Sequence, residues 1–360
     1  VTYPQRLPVT FDNQPGAATA FAGKAWPASA APGLNCGTMI IAIPDDYHNL
    51  VGTLSCMQLL QGHEVRIYNE AAPPTATLIR NLRDAEIIVP IRERTRFTRE
   101  IIEQLPELKL FSQTGRSCHH INLDACKARG IAVAAGSHAS PYTVAEQTWA
   151  LILGSLRDIA NEPALMKRGG WRNRLSTGLK GRTLGVFGLG TIGKLVAATG
   201  ASFGMRVLVW GRDGSLAAAR AAGYDTASSQ DDLFEQADVL TLMLRLSPDT
   251  RAIVTATHLA RMKPSSLLVN TARAELIAAG ALASALAQGR PGSAAVDVYE
   301  NEPVLDGNHP LLQLDNALCT AHSAWLERDT YDLYFGEAFE SAAAYAAGLP
   351  VPWVIAPKQK

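Results

Sequence analysis

From Met39 onward the chain alternates between two hydrophobic patterns. Short runs rich in Val, Ile, Leu and Ala read as strands: Met39–Ile43, Glu64–Tyr68, Glu86–Pro90, Leu108–Ser112 and Ile131–Ala135. Between them, Leu50–Gln61, Pro74–Leu82, Thr98–Gln104 and Leu123–Arg129 read as helices. Strand and helix in strict alternation predict a parallel sheet covered on both faces. Ser140-Pro141 then opens a long helix, with Ser suited to the N-cap and Pro to the first turn. This helix is apolar for most of its length, which fits a crossover between domains and part of a subunit interface. A second alternating series follows, with strands at Thr183–Phe187, Arg206–Trp210, Val239–Leu244, Ser266–Asn270, Ala294–Asp297 and Ala317–Thr320. A last helix, about Tyr331 to Ala347, could return to the first domain. The predicted class is α/β, with two doubly wound parallel-sheet domains.

Residues 1–37 break this pattern. They are rich in Ala, Pro, Gly and Thr without periodicity, and are expected to be a disordered or irregular extension whose removal leaves melting and activity unchanged. They contain no apolar stretch preceded by basic residues of the secretory kind.

Composition narrows the class. The 360 residues allow two domains with proper cores, and 47% hydrophobic with 18% charged residues fits a globular protein. The formal net charge is zero, so nothing favours nucleic acid or an anionic membrane as partner. Five cysteines, Cys36, Cys56, Cys118, Cys126 and Cys319, form no C-x-x-C pair and point to a reducing compartment, the cytoplasm. The adjacent His119 and His120 lack a third ligand at metal spacing, so no metal site is expected.

The most specific signal lies mid-chain. Gly188-Leu189-Gly190-Thr191-Ile192-Gly193 stands between a predicted strand and a predicted helix, the context that makes G-x-G-x-x-G a dinucleotide-binding signal. The first glycine serves the turn, the second the approach of a pyrophosphate, and the third close helix–strand packing. About 150 residues precede it, enough for another domain. The expected arrangement is a Rossmann NAD(P)-binding domain (140–328) inserted into a flavodoxin-like substrate domain (38–139 and 329–352). The second strand of the Rossmann unit ends at Gly211-Arg212-Asp213. Gly211 with Arg212 suits the 2′-phosphate of NADP, whereas Asp213 suits an NAD ribose; the balance tips to NADP.

Three strand ends carry chemistry: Arg273 after Val269-Asn270-Thr271-Ala272, the carboxylates of Asp297-Val298-Tyr299-Glu300-Asn301-Glu302-Pro303, and His322 in Thr320-Ala321-His322-Ser323-Ala324. Carboxyl ends of strands are where open α/β sheets bind ligands, so these groups can converge. A lone histidine past a strand is more often structural than catalytic.

With these motifs in order, the chain resembles the D-isomer-specific 2-hydroxyacid dehydrogenase family over about Met39 to Val351. The resemblance implies two domains around a catalytic cleft, a homodimer, NAD(P), and a small 2-oxo or 2-hydroxy acid of the glyoxylate or hydroxypyruvate type. It implies that Arg273 holds the substrate carboxylate and carbonyl, that His322 is the acid/base, and that Glu302 pairs with it and sustains reduction to higher pH. Gly188, Gly190, Thr191, Ile192, Gly193, Gly211, Arg212, Asp213, Leu244, Arg245, Thr271, Ala272, Asp297 and Ala324 would line the cofactor, Asp297 orienting the nicotinamide amide. Gly115, Arg116 and Ser117 would form the substrate loop.

The chain departs from the family pattern in three places. Ala274-Glu275 follows the arginine where glycine is usual. Gly115-Arg116-Ser117-Cys118-His119 replaces G-x-G-x-D. Met243-Leu244-Arg245-Leu246 replaces His-x-Pro, which could bring Arg245 to the nucleotide phosphates. Trp325 could wall the pocket or simply pack, and Trp171 fits an interface or a core. Two other readings share the motifs: a nucleotide-sensing corepressor or scaffold on the same fold, and a formate dehydrogenase-like enzyme. Glu302 argues against the latter, whose histidine pairs with glutamine.

Overall fold

The computed structural model describes residues 37–136, 140–172, 175–352 and 354–355. The extension predicted over residues 1–37 lies outside the described residues except for Gly37.

The first sheet comprises β1 (Ile40–Ile43), β2 (Glu64–Ile67), β3 (Ile87–Ile88), β4 (Leu110–Gln113) and β5 (Ala132–Ala135). All pairings are parallel and the order is β2-β1-β3-β4-β5. The direction of winding reverses between β1 and β3, so the loops after these two strands part and open a crevice. Ile41, Ile43, Ile87 and Leu110 are fully buried, as expected of strands covered on both faces.

The second sheet comprises β6 (Thr183–Phe187), β7 (Arg206–Trp210), β8 (Asp225–Thr226), β9 (Val239–Leu242), β10 (Leu267–Asn270), β11 (Ser293–Val296) and β12 (Ala317–Cys319). It is parallel, in the order β12-β11-β10-β9-β6-β7-β8. Its reversal falls between β6 and β9, beside the glycine turn.

The helix Pro141–Leu156 connects the two halves and buries Ala145, Trp149, Leu151 and Ile152 against the second sheet. Ser140 stands at its N-cap, but its side chain makes no capping bond. The final helix, Arg328–Ala346, packs back on the first sheet through Tyr331, Tyr334, Phe335, Ala338 and Phe339. Beyond it, Val354 bridges antiparallel to Ala134, and Ile355 N–H donates to Val133 O at 2.9 Å. Both contacts are made to β5 of the first sheet.

One element differs from the sequence pattern. Leu50–Gln61 is two 3-10 turns, Val51–Thr53 and Ser55–Leu60, rather than one helix. The buried Asp46 carboxylate accepts from Leu50 N and Val51 N at 3.2 and 3.0 Å, fixing the first turn away from an α-helical start. No helix among the described residues is long and apolar enough to cross a membrane.

Candidate active site

The glycine turn joins β6 to the helix Thr191–Ser202. Gly188 has φ +97° and donates to Trp210 O at 2.8 Å; a Cβ there would lie 2.9 Å from Met243 O. A Cβ at Gly193 would lie 2.3 Å from Gly188 O, so only glycine lets helix and turn meet. Gly190 caps the helix without a side-chain bond, and the space beside its Cα is open. Unpaired N–H groups at a helix start facing open space suit an anion. Thr191 and Ile192 form the first turn of this helix, and the residues present fit a dinucleotide pyrophosphate.

Gly211 follows β7, where a Cβ would press on Ser215 at 3.1 Å; Ser215 Oγ in turn accepts from Leu189 N at 3.1 Å. Arg212 is the N-cap of the helix Asp213–Ala221, with Asp213 in its first turn, and both side chains are exposed. Leu244 and Arg245 follow β9. Leu244 abuts Gly188, and Arg245 is exposed while its carbonyl accepts from Thr250 Oγ1 at 2.7 Å. Thr271 is buried with its hydroxyl 2.8 Å from Thr148 Oγ1 of the long helix. Ala272 N–H donates to Asn270 Oδ1 at 3.0 Å.

The loops after β10, β11 and β12 are neighbours because these strands are neighbours. Asn270 Nδ2 donates to Arg273 O at 2.9 Å and so holds the arginine backbone. The Arg273 guanidinium reaches across the cleft to Glu93, 3.6 Å away on the loop after β3. Burial pushes the Glu93 carboxyl up, but Arg92, Arg273, His120 and His119 outweigh it and hold it below its ordinary value. Thus the candidate carboxylate-binding arginine already faces a carboxylate from the other sheet.

Glu302 and His322 form a close pair, with Oε2 and Nδ1 2.6 Å apart. The side chains are 30% and 27% exposed, leaving the pair open to a ligand. With Nδ1 bonded to the carboxylate, Nε2 is the nitrogen free for proton exchange. Glu302 Oε1 accepts from Tyr299 N at 2.9 Å. His322 has φ +49°. Asp297 is fully buried. One of its oxygens accepts from Ser323 N at 3.0 Å and from Thr320 Oγ1; the other accepts from Ala324 N at 2.9 Å. In this structure it braces the turn that carries His322.

Gly115 is buried against the Arg92 guanidinium, Arg116 is exposed, and Ser117 Oγ lies 2.7 Å from His119 Nδ1. No group of three metal-ligating side chains occurs among the described residues. Trp171 is 80% exposed and is not a core residue.

Sequence reasoning missed the residues at the crevice of the first sheet. Arg94 lies 3.9 Å over the Tyr47 ring and 5.5 Å from Trp325; Arg92 lies 5.5 Å from Trp325 and 5.0 Å from Tyr334. This stack of alternating cations and rings joins the loops after β1 and β3 to Trp325, three residues past His322, and to the final helix. Such contacts contribute roughly 0.5–2 kcal/mol each. The available signal was Arg92-Glu93-Arg94, three charges shortly after a buried run and at the winding reversal.

Residues 149–324 match the family model described as D-isomer specific 2-hydroxyacid dehydrogenase, NAD binding domain. The chain is 32% identical over 301 residues to the glyoxylate reductase of Aeropyrum pernix, covering 81% of this chain and 89% of that protein. It is 36% identical over 247 residues to the D-3-phosphoglycerate dehydrogenase of Methanocaldococcus jannaschii, covering 68% of this chain and 47% of the relative. The chain spans about half the length of the curated D-3-phosphoglycerate dehydrogenases it matches. A crystal structure of phosphoglycerate oxidoreductase from Vibrio cholerae superposes with a TM-score of 0.83 at 45% identity, covering 86% of this chain and all of that one. The chain belongs to the D-isomer specific 2-hydroxyacid dehydrogenase family.

Proposed function

We propose that this protein transfers a hydride between a nicotinamide and C2 of a small 2-oxo or D-2-hydroxy acid. The observation that carries the reading is the His322–Glu302 pair at 2.6 Å, on a strand end beside that of Arg273 and on the sheet that holds the glycine turn. Bound reduced nicotinamide would supply the hydride. Arg273 holds the substrate carboxylate and carbonyl oxygen with a planar, permanently charged fork, drawing that oxygen toward the cleft. His322 gives its Nε2 proton to the oxygen as the C=O bond becomes C–O–H; in oxidation it takes the proton back. Glu302 bonds to Nδ1 and so fixes the orientation and tautomer of the ring, leaving Nε2 toward the substrate.

Relatives are named glyoxylate reductase, hydroxypyruvate reductase and D-3-phosphoglycerate dehydrogenase. We read the substrate as the glyoxylate or hydroxypyruvate type. The second cationic cluster, Arg92 and Arg94, favours an alternative in which the acid also carries a phosphate. Gly211 and the exposed Arg212 favour NADP over NAD, with Asp213 as the competing ribose partner. Exposed Ile159, Met166, Trp171 and Leu175 support a homodimer built around the segment after the long helix; a solution mass of 38.5 kDa would contradict it. Cys56, Cys118, Cys126 and Cys319 are unpaired, in keeping with a cytoplasmic site.

Arg273→Ala tests the substrate assignment. Turnover should fall by about three orders of magnitude, the scale of a charge-assisted contact made in the transition state, with cofactor binding retained. Near-normal turnover would remove Arg273 from the reaction.

A further inference from the structure

Glu302 and His322 are twenty positions apart, on different loops, and each side chain is about one-third exposed. Exposed ion pairs contribute at most about 1 kcal/mol, too little to hold two loops at 2.6 Å unaided. The histidine backbone, at φ +49°, is in a region that costs a non-glycine residue on the order of 1–3 kcal/mol unless its surroundings fix it. Something must therefore position both partners.

Tyr299 is bonded to Glu302 and to the turn that carries His322. Its backbone N–H donates to Glu302 Oε1 at 2.9 Å, and its hydroxyl donates to Thr320 O at 2.8 Å, two residues before His322. Asp297 braces the same turn through Thr320, Ser323 and Ala324, but its bonds do not reach Glu302. Among the described residues, Tyr299 is the one bonded both to Glu302 and to the histidine turn. It is 9% exposed, so these bonds are shielded from water. Burial and the neighbouring Cys319, Asp297 and Glu302 push the phenol up, keeping it a neutral donor. The ring is seated by His309, whose centroid lies 5.0 Å away at 76°. His309 Nδ1 accepts from Leu311 N at 3.3 Å, leaving Nε2 to donate to Glu300 at 3.2 Å.

We propose that Tyr299 is a positioning residue that fixes the Glu302–His322 hydrogen bond by clamping both loops. This rests on the acid–base reading of that pair. The charged and titratable groups around the pair are Asp297, Tyr299 and Cys319 beside the turn, Tyr47 and Asp45 from the loop after β1, and Arg94 from the loop after β3. Tyr299→Phe removes the hydroxyl alone and leaves all of them in place.

The test has two readouts. In protein labelled with [15N]histidine, the Nδ1–H signal of His322, assigned by its loss in Glu302→Gln, should move upfield in Tyr299→Phe as the hydrogen bond lengthens. An unchanged signal overturns the proposal. This readout needs no turnover, so it stands apart from any failure of the reductase reading. In the assay, Tyr299→Phe should lower kcat about tenfold, the equivalent of one hydrogen bond, with KM for reduced cofactor unchanged. In a Glu302→Gln background the same change should cost less than about twofold, because the partner it positions is gone. Equal losses in both backgrounds would make Tyr299 merely structural.

Discussion

His120 is a basic side chain held where charge is expensive. It is 5% exposed, and neither ring nitrogen has a hydrogen-bond partner among the described residues. Burial lowers its pKa to about 4, against the opposing pull of Glu93, with His119 and Arg92 adding to the lowering. In the unfolded chain an ordinary histidine titrates near 6.5, so between pH 6.5 and 4 the unfolded state binds a proton that the folded state does not. Stability from this group is complete above that window and is lost as pH falls through it, by roughly 3 kcal/mol in all. The Glu93 carboxyl, held low, titrates below most of this range. His120→Leu should therefore flatten the fall of the denaturation midpoint between pH 6.5 and 4.5; an unchanged slope would place the acid sensitivity elsewhere. Residue by residue, the cleft was half legible. Arg273, Glu302 and His322 stand directly after strands, where sequence order maps onto space. Tyr47, Arg92 and Arg94 did not register, because charges and rings in loops after predicted strands look like solvated surface. Asp297, expected at the nicotinamide amide, also braces the histidine turn through its oxygens, a contact that sequence pattern does not encode.

Among elements, the strand–turn–helix at β6 is tightly specified by its glycines. A methyl group at Gly193 would stand 2.3 Å from a backbone carbonyl that cannot swing away. Gly193→Ala should push the helix Thr191–Ser202 off the turn, costing about 1–3 kcal/mol as overpacking does. Reduced-nicotinamide binding should weaken at least tenfold; unchanged binding and melting would show that the turn tolerates the shift. Both β6 and β7 coincide with their expected bounds, because long β-branched or aromatic runs end abruptly at glycine. The helices Glu162–Lys167 and Asp213–Ala221 and the edge strand Asp225–Thr226 went unread. Each carries a largely polar or exposed surface, which gives periodicity little to detect. The two 3-10 turns near Leu50 depend on the Asp46 carboxylate, a contact that hydrophobic pattern does not encode.

For the whole molecule, the decisive feature is that loops after β10 and β12 of the second sheet meet the loop after β3, at the reversal point of the first. Arg273 on one sheet meets Glu93 on the other, and Trp325 lies between arginines of the first sheet while belonging to the histidine loop of the second. The return of the final helix to the first sheet was legible from its apolar residues; these cross-domain pairs were not, since they join positions more than 170 residues apart. The architecture would let a small anionic acid replace the Glu93 contact of Arg273 while His322 faces it. The most direct test follows the absorbance of NADPH, and in parallel NADH, with glyoxylate, hydroxypyruvate and its phosphate ester. At least one of these acids should oxidise the reduced cofactor, faster with NADPH if Arg212 governs the ribose. Demonstrable cofactor binding with no turnover of any of the three would contradict the reductase reading.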